Sequence, residues 1–139
     1  MAKPIQTGEK LGVRVLLADA SLTFRHVTTR FLCERSSAVV VGALGEGEDV
    51  LAKAQDLQPE IVLIDPFMPM ANKPGLEAVS RLRAALPQTG IIVLTLVNAD
   101  GYREAALAAG ADDFVPKTAV YTDLLPVIQR VARGEPRPE

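Results

Sequence analysis

Five short runs of apolar residues recur along the chain, with segments of helical spacing between and after them. The runs are rich in Val, Ile and Leu, and most show no alternation of apolar with polar positions. Strands that helices cover on both faces have this pattern, because neither face meets water. The runs therefore predict five buried strands of a parallel sheet, at Val13–Ala18, Ala38–Ala43, Glu60–Asp65, Gly90–Thr95 and Asp112–Pro116.

The segments that follow the runs carry apolar residues three or four positions apart, which predicts amphipathic helices. Capping residues before them, and proline or glycine after them, place their ends. Pro126 would be the fourth residue of the last helix, where it removes at most one helical hydrogen bond. The predicted helices run from the cap Ser21 to about Glu34, over Glu46–Leu57 before Pro59, over Gly75–Leu86 before Pro87, from the cap Asp100 through Ala109 before Gly110, and from the cap Thr122 through Ala132.

This alternation of strands and helices predicts a single α/β domain with right-handed crossovers between parallel strands. A length of 139 residues agrees with one domain. We predict that the domain spans residues 13–134 and that the polar segment 1–12 before it is disordered. Residues 135–139 hold two prolines among charged side chains, which predicts a tail or the start of a linker.

Charge and cysteine content narrow the function. The formal net charge is -2 and no basic stripe is present, so direct nucleic-acid binding is not expected. The apolar runs are far shorter than the roughly 20 residues of a membrane helix, and no signal peptide is visible. Cys33, the only cysteine, excludes an intrachain disulfide and is expected to be a small buried group on the first helix. These features predict a cytoplasmic protein.

Polar side chains stand where four of the predicted strands end, and ligands bind at that edge of an open α/β sheet. Asp19 follows the first strand, Asp65 ends the third, Thr95 ends the fourth and Lys117 follows the fifth. A carboxylate nucleophile can form an aspartyl-phosphate, and the transferred group needs positive charge and hydrogen-bond donors. Lys117 offers the charge, Thr95 offers a hydroxyl, and Asp19 could help to hold Mg²⁺.

These residues and their neighbours carry a family resemblance. The chain resembles the response-regulator receiver domain of two-component systems, the CheY-like family, over about residues 13–134. Its ending, residues 131–135, is similar to the NarL/LuxR-type branch. The matching pieces are Val15-Leu16-Leu17-Ala18-Asp19, residues 59–65, Met68-Pro69, Gly75-Leu76-Glu77-Ala78, residues 91–95 and residues 110–117.

The resemblance implies a flavodoxin-like sheet in the order 2-1-3-4-5 and a signalling domain that is not an enzyme, with at most slow autodephosphorylation. Asp65 would be the phosphoacceptor for a sensor histidine kinase, and Lys117 would pair with its carboxylate or with the phosphoryl oxygens. Thr95 and Phe114 would be the switch residues. The face made by the fourth helix, fifth strand and fifth helix would bind a downstream partner, and dimerisation through it is a further expectation.

The same resemblance implies a Mg²⁺ site made by Asp19, Asp65 and the backbone carbonyl of Phe67. The chain departs from the family pattern here, because Ala20 stands where receivers carry a second acid. Alanine cannot coordinate a metal, so weak Mg²⁺ binding is expected. Pro66, directly after Asp65, removes a backbone N–H and favours an extended Asp65.

Two further departures lie beside the site. The loop from Asp65 to Gly75 is two residues longer than usual, and Asn72 and Lys73 in it could replace a lost contact. Leu96 follows Thr95 at a position where the family favours a small side chain, and its bulk would narrow access to the phosphate.

Three functions remain open at this point. The first is a phosphorylated receiver, and the second is a degenerate receiver that acts through phosphorylation-independent protein contacts. The third is a small phosphohydrolase using Asp65, against which stand the lack of a glycine-rich loop after the first strand and of an acid at Phe67. The chain could be a stand-alone receiver, or a DNA-binding output domain could follow in a longer protein.

Overall fold

The computed structural model describes residues 12–66, 75–96 and 101–136. Within them, five parallel strands form one sheet in the order β2-β1-β3-β4-β5, which confirms the predicted flavodoxin-like order. Every strand end lies within one residue of the predicted run. The strands are β1 (Arg14–Ala18), β2 (Val39–Leu44), β3 (Ile61–Ile64), β4 (Gly90–Thr95) and β5 (Asp113–Pro116).

Helices follow the strands in alternation, at α1 (Leu22–Arg35), α2 (Val50–Leu57), α3 (Gly75–Ala85), α4 (Tyr102–Ala109) and α5 (Val120–Ala132). The prediction that the second helix begins at Glu46 is wrong. Asp49 is its N-cap and accepts a hydrogen bond from the Ala52 N–H at 3.0 Å, so the helix starts at Val50. The predicted cap Asp100 lies outside the described residues, and the N-cap of α4 is Gly101, so this helix begins one residue later than predicted.

The predicted start of the last helix is also wrong, because Thr122 is inside it. A short 3-10 helix, Lys117–Ala119, leads directly into α5, and the Thr122 hydroxyl donates to the carbonyl of Ala119 at 3.2 Å. Counted from Val120, Pro126 is the seventh helical residue and not the fourth. The proline therefore interrupts the helix interior, where its missing N–H and its ring disturb the preceding turn.

We expect Pro126→Ala to raise the free energy of unfolding by about 1–3 kcal/mol, because alanine restores the backbone hydrogen bond that proline lacks. Part of the gain is offset, since alanine has more conformational freedom than proline in the unfolded chain. Pro126 is exposed, so its replacement removes little packing. Urea unfolding followed by circular dichroism measures the change. Gln129→Ala, at another exposed position of α5, is the control and should stay within about 0.5 kcal/mol of the parent. An unchanged or lower stability for Pro126→Ala would contradict the interior position of the proline.

Two hydrophobic clusters cover the two faces of the sheet. On one face, alternate residues of the central strands pack against α2, α3 and α4. On the other face, the intervening residues pack against α1 and α5. The central strands are thus buried on both faces, as predicted, with all residues of β3 and β4 buried.

Two burial predictions are wrong. Only Leu44 of β2 is buried, and Val39 is 49% exposed, because β2 is the edge strand and has one neighbour. Cys33, expected to be buried on the first helix, is exposed. In the part of the chain that the structure describes, no helix has the length and apolar character needed to cross a membrane.

Candidate functional site

Asp19, Asp65 and Lys117 meet at the carboxyl edge of the sheet. The ammonium nitrogen of Lys117 lies 2.5 Å from Oδ2 of Asp19 and 2.9 Å from Oδ2 of Asp65. The side chain of Lys117 is 9% exposed, that of Asp19 is 2% exposed and that of Asp65 is 13% exposed. One cation therefore bridges two carboxylates in a largely buried pocket, and the contact predicted between Lys117 and Asp65 is present.

Strand register brings the two carboxylates together. Ala18 of β1 pairs with Ile64 of β3, so the next residues, Asp19 and Asp65, leave the sheet side by side. The Asp65 N–H donates to the carbonyl of Ala18 at 3.0 Å, and the Asp19 N–H donates to the carbonyl of Leu44 at 3.0 Å. Both acids are thus held by backbone hydrogen bonds that extend the sheet.

The start of α1 fixes the position of Asp19 further. Oδ1 of Asp19 accepts a hydrogen bond from the Ser21 N–H at 2.8 Å, and Ser21 in turn caps α1 through the Phe24 N–H at 3.1 Å. Arg25 donates from Nη1 to the backbone carbonyl of Asp19 at 2.5 Å. Both carboxylate oxygens of Asp19 are therefore engaged, one by the backbone and one by Lys117.

Lys117 stays charged in this pocket. Burial lowers the pKa of its ammonium, but hydrogen bonds to Asp19 and Asp65 and the charges of these carboxylates outweigh burial and raise the pKa above its ordinary value of 10.5. The ring of Phe24 adds a third neighbour, with its centroid 4.2 Å from the ammonium nitrogen. Phe24 is not predicted from the sequence, because its contact joins α1 to the residue after β5.

Thr95 and Phe114 are both buried inside the domain. Thr95, at the end of β4, is 1% exposed, and Phe114 in β5 is 7% exposed. The ring of Phe114 packs edge to face on Tyr102 of α4, with centroids 5.9 Å apart. Burial and the negative charge of Asp65 raise the pKa of Tyr102 to about 12, so the ionisation of this phenol depends on the charge in the pocket. Tyr102 was missed because nothing in the spacing of α4 relates it to Asp65.

The described residues do not by themselves fit a divalent cation. Among them, no group of three or more His, Cys, Asp or Glu side chains could hold a metal ion. Asp19 and Asp65 both face the ammonium of Lys117, and Ala20 has no side-chain oxygen. Phe67, the predicted carbonyl ligand, and the loop residues Asn72 and Lys73 lie outside the described residues. Leu96 is 72% exposed, so its side chain lies at the surface.

A family model for the response regulator receiver domain matches residues 15–129. The uncharacterized transcriptional regulatory protein YxjL of Bacillus subtilis is 32% identical over 123 residues, which are 88% of this chain and 56% of that protein. The response regulator VraR of Staphylococcus aureus is 31% identical over 123 residues, 88% of this chain and 58% of VraR. Both are NarL/LuxR-type response regulators, and the chain spans little more than half of their length.

The fold is similar to that of a solved structure. A two-component response regulator of the LuxR family from Aurantimonas sp. SI85-9A1 superposes with a TM-score of 0.80 at 23% identity, over 90% of this chain and 88% of that one. Receiver domains are signalling domains that histidine kinases phosphorylate, that typically bind Mg²⁺ at the acidic pocket and that are often linked to output domains. The chain belongs to the response regulator receiver domain family of two-component systems.

Proposed function

We propose that Asp65 accepts a phosphoryl group from a phosphohistidine of a sensor kinase. The observation that carries the proposal is that the Lys117 ammonium lies 2.9 Å from Oδ2 of Asp65. Asp65 is also the most exposed of the three side chains in the pocket. A carboxylate oxygen of Asp65 attacks phosphorus and the P–N bond breaks. Its electron pair stays on the imidazole nitrogen of the donor, and the donor leaves as neutral histidine because its other ring nitrogen carries a proton. Lys117 offsets the charge that builds up on the phosphoryl oxygens.

Thr95 and Phe114 are the proposed route from the pocket to the surface. The Thr95 hydroxyl would bond the phosphoryl group, and the Phe114 ring would follow it. Support comes from the burial of both side chains and from the edge-to-face contact of Phe114 with Tyr102, the first residue of α4. A shift of either ring would therefore change the packing at the start of α4.

The face formed by α4, β5 and α5 is the proposed surface for a downstream partner or a second copy of the chain. Buried Asp113 joins its three elements, because Arg130 of α5 contacts Oδ2 and Arg103 of α4 lies 3.8 Å from Oδ1. A displacement of α4 would disturb the ion pair between Arg103 and Asp113.

A second candidate is a degenerate receiver that acts through protein contacts without phosphorylation. The bridged pocket favours it, since the Lys117 ammonium already pairs with both carboxylates and Ala20 stands where the usual second acid would be. Weak Mg²⁺ binding is expected of both the phosphorylated receiver and the degenerate receiver. We do not propose the phosphohydrolase. A cytoplasmic location and a covalently linked output domain in a longer protein complete the proposal.

The test is the intact mass of the folded chain after incubation with a small phosphodonor, with and without Mg²⁺. We expect the mass of one added phosphoryl group, and its loss in Asp65→Asn. Asp56→Asn, which changes an exposed aspartate of α2, is the matched control and should keep the adduct. No adduct on folded protein would favour the phosphorylation-independent receiver. An adduct that persists in Asp65→Asn would assign the acceptor to another residue.

A further inference from the structure

An uncharged strand forms one open edge of the sheet. Within the described residues, β2 pairs with β1 alone, so the backbone N–H and C=O groups on its other side have no strand beside them. Val39 is 49% exposed, and Ala43 is also exposed. The pairing with β1 skips Val41, which makes a bulge, but β2 has no charged residue and no proline. Proteins usually protect a strand edge with such residues or cover it, so this edge is suited to the addition of an extended segment.

A groove of about 520 Å³ lies along the same edge, between β2 and α1. Its wall on the helix side is one stripe of α1, because residues three or four positions apart lie on the same face of a helix. This stripe carries three basic side chains, whereas no acidic residue lines the groove. We call it the basic stripe, and it consists of Leu22, Arg25, His26, Thr29 and Arg30.

Arg25 is held in position within the basic stripe. Its Nη1 donates to the backbone carbonyl of Asp19 at 2.5 Å, and a Cβ on Gly45 would lie only 2.9 Å from the same nitrogen. The ion pairs among the described residues do not include Arg25, so no carboxylate offsets its charge there. A guanidinium has five N–H donors, so Arg25 can bind a carboxylate of a partner while it keeps its contact with Asp19.

Arg30 extends the positive charge along the basic stripe. Its ion pair with Glu34, at 3.1 Å, joins side chains that are 79% and 60% exposed. Exposed pairs contribute little to stability, so a carboxylate of a partner can replace Glu34 at small cost. Two copies of this chain that paired antiparallel through β2 would bring their basic stripes together, and repulsion between like charges disfavours that arrangement. The charge of the groove therefore favours an acidic partner over a second copy.

We propose that this edge binds an extended acidic segment of a partner protein, which adds as a strand beside β2 and sets its carboxylates against the basic stripe. Alternate side chains of a strand point to the same face of a sheet, so a segment that alternates acidic and apolar residues fits the site. The edge lies at the opposite side of the sheet from β5, and hence away from the face formed by α4, β5 and α5. The proposal does not depend on phosphorylation of Asp65.

The test uses a fluorescein-labelled peptide of alternating glutamate and valine, about nine residues long so that it spans β2. Its binding to the full chain is measured by fluorescence anisotropy. We expect saturable binding that weakens as salt is added, because exposed charges are screened. Amide hydrogen exchange, followed residue by residue with NMR spectroscopy, should slow in β2 when the peptide is added and stay unchanged in β5.

Two control peptides and two variants separate the contributions. A peptide with lysine in place of glutamate should not bind, nor should a glutamate peptide methylated at every backbone nitrogen, which cannot donate to β2. Arg30→Glu should bind the glutamate peptide roughly 2- to 30-fold more weakly than the parent, since an attraction becomes a repulsion. Arg81→Glu, the same change of charge at an exposed position of α3, should bind as the parent does. Urea unfolding verifies that both variants are folded.

Several results would overturn the proposal. Absence of binding by the glutamate peptide is the first, and equal binding by either control peptide is the second, because charge or strand pairing would then play no part. Equal affinities of Arg30→Glu and Arg81→Glu would show that the basic stripe does not contact the peptide. Slower exchange in β5 and not in β2 would place the peptide elsewhere. Dimerisation of the free chain through β2, detected by sedimentation velocity, without peptide binding would assign the edge to a second copy.

Discussion

Replacement of Lys117 by methionine is expected to lower the free energy of unfolding by about 3–5 kcal/mol at neutral pH, the usual cost of breaking a buried ion pair. Methionine preserves much of the side-chain volume but removes the charge. Asp19 and Asp65, 2% and 13% exposed, would then stand next to each other with no cation between them. Both the burial of unpaired charge and the repulsion between the carboxylates disfavour the folded state.

Two further variants, measured in the same unfolding experiments, identify the cause of the lower stability of Lys117→Met. Lys53→Met, at an exposed position of α2, is the control and should stay within about 0.5 kcal/mol of the parent. Asp19→Asn introduced into Lys117→Met should restore part of the lost stability, since one of the repelling charges is gone. If Lys117→Met is as stable as the parent, the bridge does not exist in solution.

The pH dependence has a definite sign. Because the pKa of Lys117 is raised above 10.5, its stabilising contribution is fully present below pH 10.5 and is lost as the pH rises through the folded value. The pKa of Tyr102 is raised from 10.0 to about 12, so the folded state favours the neutral phenol. The contribution of Tyr102 to the free energy of unfolding is therefore fully present below pH 10 and is lost as the pH rises towards 12. The stability difference between the parent and Lys117→Met should therefore shrink in strongly alkaline solution.

Arg83→Met is expected to lower the free energy of unfolding by about 2–4 kcal/mol. This is less than the sum of about 1.5–3 kcal/mol for each hydrogen bond to a charged group, because water can reach the partly exposed partners after the replacement. The guanidinium of Arg83 on α3 donates to the carbonyls of Gly110, Pro87 and Thr89 at 3.0, 3.0 and 2.8 Å. It also contacts Oδ2 of Asp112 at 2.5 Å. One side chain thus joins α3 to the turns before β4 and β5.

Gly110 shows how closely this arginine packs. Its φ of +121° is one that glycine adopts readily, and a Cβ there would come within 2.9 Å of the Cβ of Arg83. Urea unfolding again measures the loss, and Arg81→Met, on the exposed side of the same helix, is the matched control. Equal, small effects of the two replacements would contradict the structural role of Arg83.

Several features could be predicted from the chain alone, because they depend on local pattern. Runs of buried β-branched and aliphatic residues locate the strands within one residue, and spacing plus Ser21 and Gly110 locate the ends of α1 and α4. The alternation of strands and helices then restricts the topology. Once Asp19 and Asp65 are known to follow parallel strands, their meeting at one sheet edge follows from the geometry of such sheets.

Other local features were predicted wrongly because two signals competed. Thr122 is a good cap in isolation, but the turn after Lys117 continues directly into α5 and makes Val120 its first residue. Asp49 caps α2 in place of the earlier start expected at Glu46. In both cases the hydrogen bonds of the preceding turn, which local periodicity does not contain, decide where the helix begins.

The sequence by itself determined the α/β fold and the polar side chains at the strand ends, since burial periodicity and strand-end positions are properties of the chain, and the strand order followed from the family resemblance. The tertiary structure alone decided which partners those side chains find. The contact of the Phe24 ring with Lys117, the hydrogen bond from Arg83 to Gly110 and the effect of the Asp65 charge on Tyr102 all join residues far apart in sequence. Their distances depend on how helices pack across the sheet, so they appear only when the whole domain is folded.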